Sequence, residues 1–462
     1  MSVRDHAAAL SITAAAAEAP DRAGLVHRGQ VFSFAALATR VRAFTARIPA
    51  LAAALDLPGS GSIWPIVAEP ALDTALALYT ALDRGDTLVL LPPRASADEH
   101  RAFVERTRAL APDPGTARVV VFSSGTQGHD KGVIASARAL VASATASATN
   151  LGWRDDDRWL CCLPLAHVGG LSILTRCLVA RRTAVLAHGG FDPDRIAEVV
   201  ERERITLLSL VPTMLARLLD HGWIAPPPLR AVLLGGAAAS PALLARARER
   251  GLPVLLTYGM SETCAQICTQ PYGTPPALDG RIGPALPGAE LRIRDGRVQV
   301  RGPMLFDGYL GAPSPFDEDG WFDTGDRGQL DADGSLRVLG RSDDVIITGG
   351  KNVHPAEVEP ALVAHPDITG ACVFGLADPL WGHVIAAAVV CRRRPSDLAA
   401  WVAAVGEYLA PRLPTHRRPR RLAVVDALPV GPTGKVERRR VAAECGDALL
   451  PIDYPPTPTD SD

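Results

Sequence analysis

Neither sign of charge dominates this chain: 48 Lys and Arg stand against 50 Asp and Glu, a formal net charge of −2 over 462 residues. No broad positive field is therefore available to hold nucleic acid or an anionic membrane surface. The strongest local exception is Arg417-Arg418-Pro419-Arg420-Arg421, which reads as a solvated face or as a contact for a phosphorylated ligand. Long apolar runs are also missing, none approaching the ~18 residues of a membrane-spanning helix. The eight cysteines, Cys161, Cys162, Cys177, Cys264, Cys268, Cys372, Cys391 and Cys445, contain no CxxC pair. That pattern argues against a disulfide framework or a zinc site and for buried thiols in a reducing compartment. At the N-terminus Ala7 to Ala17 is Ala-rich, but Asp5 and His6 dilute the charged start of a secretion signal. Glu18-Ala19-Pro20-Asp21 then stands where small residues would mark cleavage, so a first helix and a cytoplasmic protein are expected.

What is present is a globular composition, 47% apolar against 21% charged, in a chain long enough for two or three domains. Strand-like and helix-like stretches alternate: RVVVF then ASARALVASATASATNLG, TAVLAH then DPDRIAEVVERER, ITLLSLV then PTMLARLLDHG, RAVLLGG then SPALLARARERG, and PVLLTY. This order predicts an α/β fold with mainly parallel sheets and crossover helices. Ligands in such sheets bind outside the carboxyl ends of the strands, where SSGTQG, GGAA and YGMSET fall. From about Gly280 short alternating strands with Asp-Gly turns predict a small antiparallel segment. The expected division is a large N-terminal domain over 1–340, an α+β C-terminal domain over 341–450, and a Pro-rich acidic tail, disordered, over 451–462.

Five punctuated segments need one explanation: SSGTQGHDKG at 123–132, YGMSET at 258–263, WFDTGDRG at 321–328, GRSDDVIITGGKNVHPAEVE at 340–359 and PVGPTGKVERR at 429–439. Hydroxyls, glycines and a lysine together in the first suit a polyphosphate. It is not a Walker loop, because Asp130 occupies the place of the second glycine and Gly132, not Ser or Thr, follows Lys131. In this order and spacing the five segments resemble the acyl-adenylate-forming superfamily of acyl- and aryl-CoA ligases, luciferases and adenylation domains, over nearly the whole chain.

The resemblance implies a reaction of a carboxylic acid with ATP and Mg2+, and roles for individual residues. Ser123, Ser124, Gly125, Thr126, Gln127, Gly128 and Lys131 would wrap the β,γ-phosphates, and Ser261 would touch the α-phosphate. Gln127 and Asp130 depart from the usual Ser/Thr and Pro. Gly235, Gly236, Ala237, Tyr258 and Gly259 would border the adenine, Asp326 and Arg341 would bind the ribose, and Glu262 would hold Mg2+. Lys435 would bridge the acid's carboxylate and the α-phosphate, where negative charge gathers as the acid attacks. Asp343 matches the family's hinge, about which the small domain turns so that Gly349 and Gly350 open a path for the pantetheine of coenzyme A. Trp381-Gly382 also looks like the pattern of coenzyme A-using members.

WLCCLPLAHVGGLSILTRCL, ITLLSLVPTMLARLL and TYGMSETCAQI resemble the o-succinylbenzoate-CoA ligases of menaquinone biosynthesis. His167, Gly169, Gly170 and Met260 would border the acyl pocket, with Ala166 where that family commonly has Phe. The second carboxylate of o-succinylbenzoate needs a partner if buried, and Thr263, Gln266 and Arg176 are the candidates. Another aryl or alkyl acid, a stand-alone module loading a carrier protein, and a non-catalytic relative stay open, as does a homo-oligomer.

Overall fold

The computed structural model of the protein describes residues 2–48, 63–69, 71–109, 117–123, 131–275, 277–431 and 436–455. Among them four sheets organise the chain. The largest has eight strands in the order Ala265–Thr269, Val254–Met260, Ala231–Leu234, Leu207–Leu210, Arg158–Cys161, Thr183–Leu186, Ala23–His27 and Gln30–Ser33. Its six inner strands run parallel, and an antiparallel strand closes each edge. Strands such as Leu207–Leu210 and Ala231–Leu234 are buried at every position, as expected for a sheet covered by helices on both faces. The crossover helices start where the sequence signals a start. Ser136, Asp192 and Ser240 each accept a backbone N–H of the first turn, and proline opens the helices at Pro193, Pro212 and Pro241.

A five-stranded sheet holds Gly308–Tyr309, Lys131–Ser136, Ala117–Ser123, Thr87–Leu91 and Ile63–Val67. The sequence reading places Lys131 and Gly132 in a punctuated loop segment and starts a helix-like stretch at Ala135; Lys131–Ser136 is instead a strand, antiparallel to Ala117–Ser123 with Ser123 opposite Lys131. The β segment forms a four-stranded antiparallel sheet, Glu290–Arg294, Arg297–Arg301, Phe322–Leu330 and Leu336–Arg341. Its first hairpin turns at Asp295 and Gly296, both left-handed (φ 52° and 73°), which suits a tight two-residue turn.

The fourth sheet begins after Arg341 and runs from Ile346–Thr348 to Leu450–Pro451, with helices Pro355–Val363, Leu398–Leu409 and Arg438–Cys445. Two expectations change. The tail is not disordered from 451, because Leu450–Pro451 pairs with Arg421–Val425, Ile452 joins the core, and the Tyr454 hydroxyl donates to the Pro419 carbonyl at 2.8 Å. Three apolar side chains outweigh the Pro-rich composition there. At the other end the Ala-rich stretch is two helices, Val3–Ala9 and Ile12–Glu18, since Ser11 caps the second and interrupts the first. All eight cysteines are free and buried or half-buried. Among the described residues no helix is long and apolar enough to cross a membrane.

Candidate active site

The carboxyl ends of two neighbouring parallel strands build the centre of the site. After Ala231–Leu234 the chain turns at Gly235 and Gly236. A Cβ on Gly235 would lie 2.3 Å from the Thr257 hydroxyl, and Gly236 has φ +82°. Val254–Met260 next carries Tyr258 and Gly259, and the register to Ala265–Thr269 shifts between them. At Gly259 a Cβ would fall 1.5 Å from the Ala265 carbonyl oxygen, so only glycine fits. Ser261–Thr263 is a single 3-10 turn, followed by Cys264 and Ala265 at φ +48° and +94°. Strained non-glycine residues of this kind persist only where surrounding contacts determine them. Thr263 supplies such contacts, accepting from the Met260 N–H at 2.9 Å and donating to the Ala265 carbonyl at 2.7 Å.

Tyr258 joins this strand to the antiparallel sheet. Its hydroxyl donates to Asp326 Oδ2 at 2.6 Å, while Arg341, opposite Asp326 in the register, donates to the Thr324 carbonyl at 3.0 Å and to Asp326 Oδ1 at 3.5 Å. Burial, reinforced by the Asp326 charge, pushes the Tyr258 phenol well above its ordinary pKa, so it remains a donor at neutral pH. The ribose-binding candidates Asp326 and Arg341 thus meet beside Tyr258.

Glu262, the Mg2+ candidate, sits in the 3-10 turn. Its carbonyl accepts from the Phe306 N–H at 2.9 Å, and its carboxylate Oε1 accepts from the Tyr309 hydroxyl at 2.7 Å. Lys131 opens the neighbouring strand with Nζ 4.9 Å above the Tyr309 ring. Ser123 stands opposite Lys131, whereas Ser124, Gly125, Thr126, Gln127 and Gly128 lie outside the described residues. Among the described residues no cluster of three or more His, Cys, Asp or Glu could hold a metal alone. A single carboxylate with free oxygen lone pairs fits Mg2+, which takes one or two carboxylates and completes its shell with water and substrate phosphates.

Among the acyl-pocket candidates His167 is the half-buried N-cap of the helix Val168–Ala180, and Ala166 beside it is buried. Gly170 has a packing reason: a Cβ there would lie 2.4 Å from the Pro164 carbonyl oxygen. Gly169 would meet only the Leu163 side chain, at 3.2 Å, and Met260 is half-buried at the head of the 3-10 turn. Thr263 is used by the turn, and Gln266 accepts from the Ser147 hydroxyl at 3.1 Å and donates to Thr269 at 3.2 Å. Arg176 differs from both. It is 3% exposed, its guanidinium lies 5.5 Å over the Trp159 ring, and Nε and Nη2 have no hydrogen-bonding partner among the described residues. Burial lowers it to about 10, with the thiols of Cys177 and Cys264 acting on it, so it is still a cation at neutral pH.

In the C-terminal sheet Asp343 sits in the 3-10 turn Ser342–Asp344, 4.0 Å from Arg341. Gly349 and Gly350 (φ +54° and +74°) turn between Ile346–Thr348 and Lys351–Val353. The Trp381 ring covers this turn so closely that a Cβ on Gly349 would lie 2.6 Å from it. Lys435 lies outside the described residues; Arg438, three residues on, is anchored to Glu359 at 2.5 Å.

Sequence reasoning missed Tyr309, whose Gly-Tyr follows an Asp and reads as a loop. It also passed over a compositional signal: only Lys131, Lys351 and Lys435 among the 48 basic residues are lysines, and each lies in a motif segment. Where arginine is the default cation, a lysine marks a need for a compact ammonium on a flexible stem.

Comparison with known proteins gives the family. Residues 94–310 match the AMP-binding enzyme family and 357–435 its C-terminal domain. The 2-succinylbenzoate–CoA ligase of Bacillus pumilus is 38% identical over 339 residues, covering 70% of this chain and 68% of the relative. That of Bacillus licheniformis is 34% identical over 389 residues, 78% and 80% of the two chains. The o-succinylbenzoate CoA synthetase of Bacillus subtilis in complex with the acyl-adenylate OSB-AMP superposes with a TM-score of 0.81 at 30% identity, over 93% of this chain and 97% of that one. Its complex with ATP and magnesium ion gives 0.80 at 30% identity, over 93% and 98%. A double mutant of it bound to the product analogue OSB-NCoA gives 0.65 at 30% identity, over 94% and 97%. This chain belongs to the AMP-binding enzyme family.

Proposed function

We propose that the protein is an ATP- and Mg2+-dependent, AMP-forming 2-succinylbenzoate–CoA ligase. The carboxylate of the acid attacks the α-phosphorus of ATP, giving acyl-AMP and pyrophosphate. The thiol of coenzyme A then attacks the acyl carbon, giving the thioester and AMP with loss of the thiol proton. No general base is needed in the first step, because the acid is already ionised at neutral pH.

Arg176 is the observation that carries the choice of acid. An unpaired buried cation costs several kcal/mol, a cost offset when an anion arrives. An acid whose second carboxylate reaches Arg176 recovers that energy, and a monocarboxylic acid does not. The 2-succinylbenzoate–CoA ligases among its relatives support the same reading.

For the nucleotide, Asp326 and Arg341 bind the ribose, with Gly235, Gly236, Ala237, Tyr258 and Gly259 around the adenine. Ser123 to Gly128, Lys131 and Ser261 take the phosphates. Glu262 holds Mg2+, which supplies charge neutralisation on the phosphates. His167, Gly169, Gly170 and Met260 border the acid, and Lys435 meets the reacting carboxylate. Residues 1–340 and 341–450 act as two bodies about Asp343. At equal identity, the better agreement with the acyl-adenylate complex than with the OSB-NCoA complex supports an arrangement suited to adenylation. Coenzyme A then enters past Gly349 and Gly350. Eight free thiols support a cytoplasmic location.

The test is mass-spectrometric detection of the thioester from purified protein, ATP, Mg2+ and coenzyme A, offering 2-succinylbenzoate beside benzoate, cinnamate and medium-chain acids. A strong preference for 2-succinylbenzoate is expected; preference for a monocarboxylic acid removes the role of Arg176, and no thioester from any acid removes the ligase reading. In the same assay Lys435→Ala should lose acyl-AMP formation while still converting preformed acyl-AMP to the thioester.

A further inference from the structure

The segment Phe306–Tyr309 crosses between the two charged groups on the phosphate side of the site. Phe306 N–H binds the Glu262 carbonyl, Leu310 N–H binds the Gly132 carbonyl at 2.7 Å, and Tyr309 lies opposite Val133 in the strand register. Backbone contacts therefore fix Tyr309 between the turn carrying Glu262 and the strand opened by Lys131. Its ring packs edge-on against the buried Phe306 at 4.8 Å, and Phe306 in turn meets Phe316 and Phe322. The half-buried ring has one polar atom, and that atom points at Glu262 Oε1.

We propose that Tyr309 is a positioning residue for the phosphate and metal side of the reaction, holding the Glu262 carboxylate by one oxygen and the Lys131 ammonium by its ring face. This rests on the reading above that Glu262 binds Mg2+ and Lys131 binds phosphate. A carboxylate accepting one hydrogen bond through Oε1 keeps Oε2 and further lone pairs for a cation. The donor is neutral, so it orients the carboxylate without cancelling the charge that attracts the metal, which an arginine would do. Lys131 over the ring gains a cation–π contact that restrains a flexible stem and leaves its three N–H donors for phosphate oxygens.

The experiment is calorimetric ATP binding to wild type, Tyr309→Phe and Tyr309→Leu, with Mg2+ and with EDTA. Tyr309→Phe keeps the ring and its contact with Phe306, so an unchanged melting temperature is expected. It should lose about ten-fold of the ATP affinity measured with Mg2+ and none of that measured in EDTA. Tyr309→Leu, which also uncovers Lys131, should weaken binding in EDTA as well. In steady state the Mg2+ concentration for half-maximal rate should rise in Tyr309→Phe with KM for the acid unchanged. In a Glu262→Gln background the same substitution should have little further effect on binding with Mg2+. Tyr309→Phe that binds ATP like wild type under both conditions, or loses equally in both, overturns the assignment alone. Failure of the wild type to bind ATP at all overturns the proposed function and this assignment with it.

Discussion

Two buried arginines, on different elements around the large sheet, have opposite surroundings. Arg230 meets Asp157 through two bonds, Nε to Oδ1 at 2.8 Å and Nη2 to Oδ2 at 2.6 Å, and donates to the carbonyls of Leu151 and Gly152. Asp157 also accepts from the Thr206 hydroxyl and the Arg154 N–H, so every charge in this group has partners. Although burial opposes the charge on Arg230, these contacts raise it above its ordinary value, whereas burial of Arg176 prevails and lowers it to about 10. Arg176 is buried to 3% exposure and Arg230 only half-buried as a whole residue, and among the described residues Arg230 has an anion and Arg176 has none. A cation whose anion is supplied by the chain holds the fold together, and on the function proposed above one without such an anion is placed for an anion from outside.

The comparison breaks first at Arg230. Arg230→Met leaves Asp157 buried without its cation and should destabilise the protein by about 3–5 kcal/mol, read from urea unfolding, with unchanged kcat/KM per folded molecule. Arg176→Met should do the reverse. Removing an unpaired buried charge should leave the unfolding free energy equal or higher, while kcat/KM for 2-succinylbenzoate falls about 100-fold, or ~3 kcal/mol in the transition state. Benzoate turnover by that variant should change little; an equal loss for both acids would make Arg176 a structural residue like Arg230.

The smallest effect is in pH. Burial alone would raise the Asp157 carboxyl, but its bonds to Arg230, Arg154 and Thr206 bring it below the ordinary 3.8. A depressed carboxylate contributes stability present above the unfolded value and lost as pH falls through the folded one. The wild-type unfolding free energy should thus hold down to about pH 4 in respect of this group and decline below it. In Arg230→Met the carboxyl loses its cation and its folded value rises toward or past the unfolded one, so this loss on acidification should shrink or reverse.

Local signals carried much of the architecture. Ser136, Asp192 and Ser240 announced helix starts, the Asp295-Gly296 pair announced a hairpin, and buried runs such as Ala231–Leu234 announced parallel strands. Each depends on residues within a few positions of one another. Misreadings arose where a distant contact outweighed a local pattern, as at Lys131–Ser136, whose strand is completed by Ala117–Ser123 and Gly308–Tyr309, and at Tyr454, held by Pro419 and by the Arg418 guanidinium 5.3 Å over its ring.

The candidate site divides in the same way. The order and spacing of the five motifs, and with them the family and the chemistry of acid activation, were properties of the chain itself, because each motif is a short loop whose residue types follow from the group it meets. Tertiary structure alone decided which of Thr263, Gln266 and Arg176 remained available to an anion. It alone also brought Tyr309 to Glu262, 47 positions away in sequence, and Trp381 over Gly349. Partnership between charges and polar groups is set by contacts across sheets and between strand ends. A sequence names the groups that need partners, and only the folded chain shows which of them have found one.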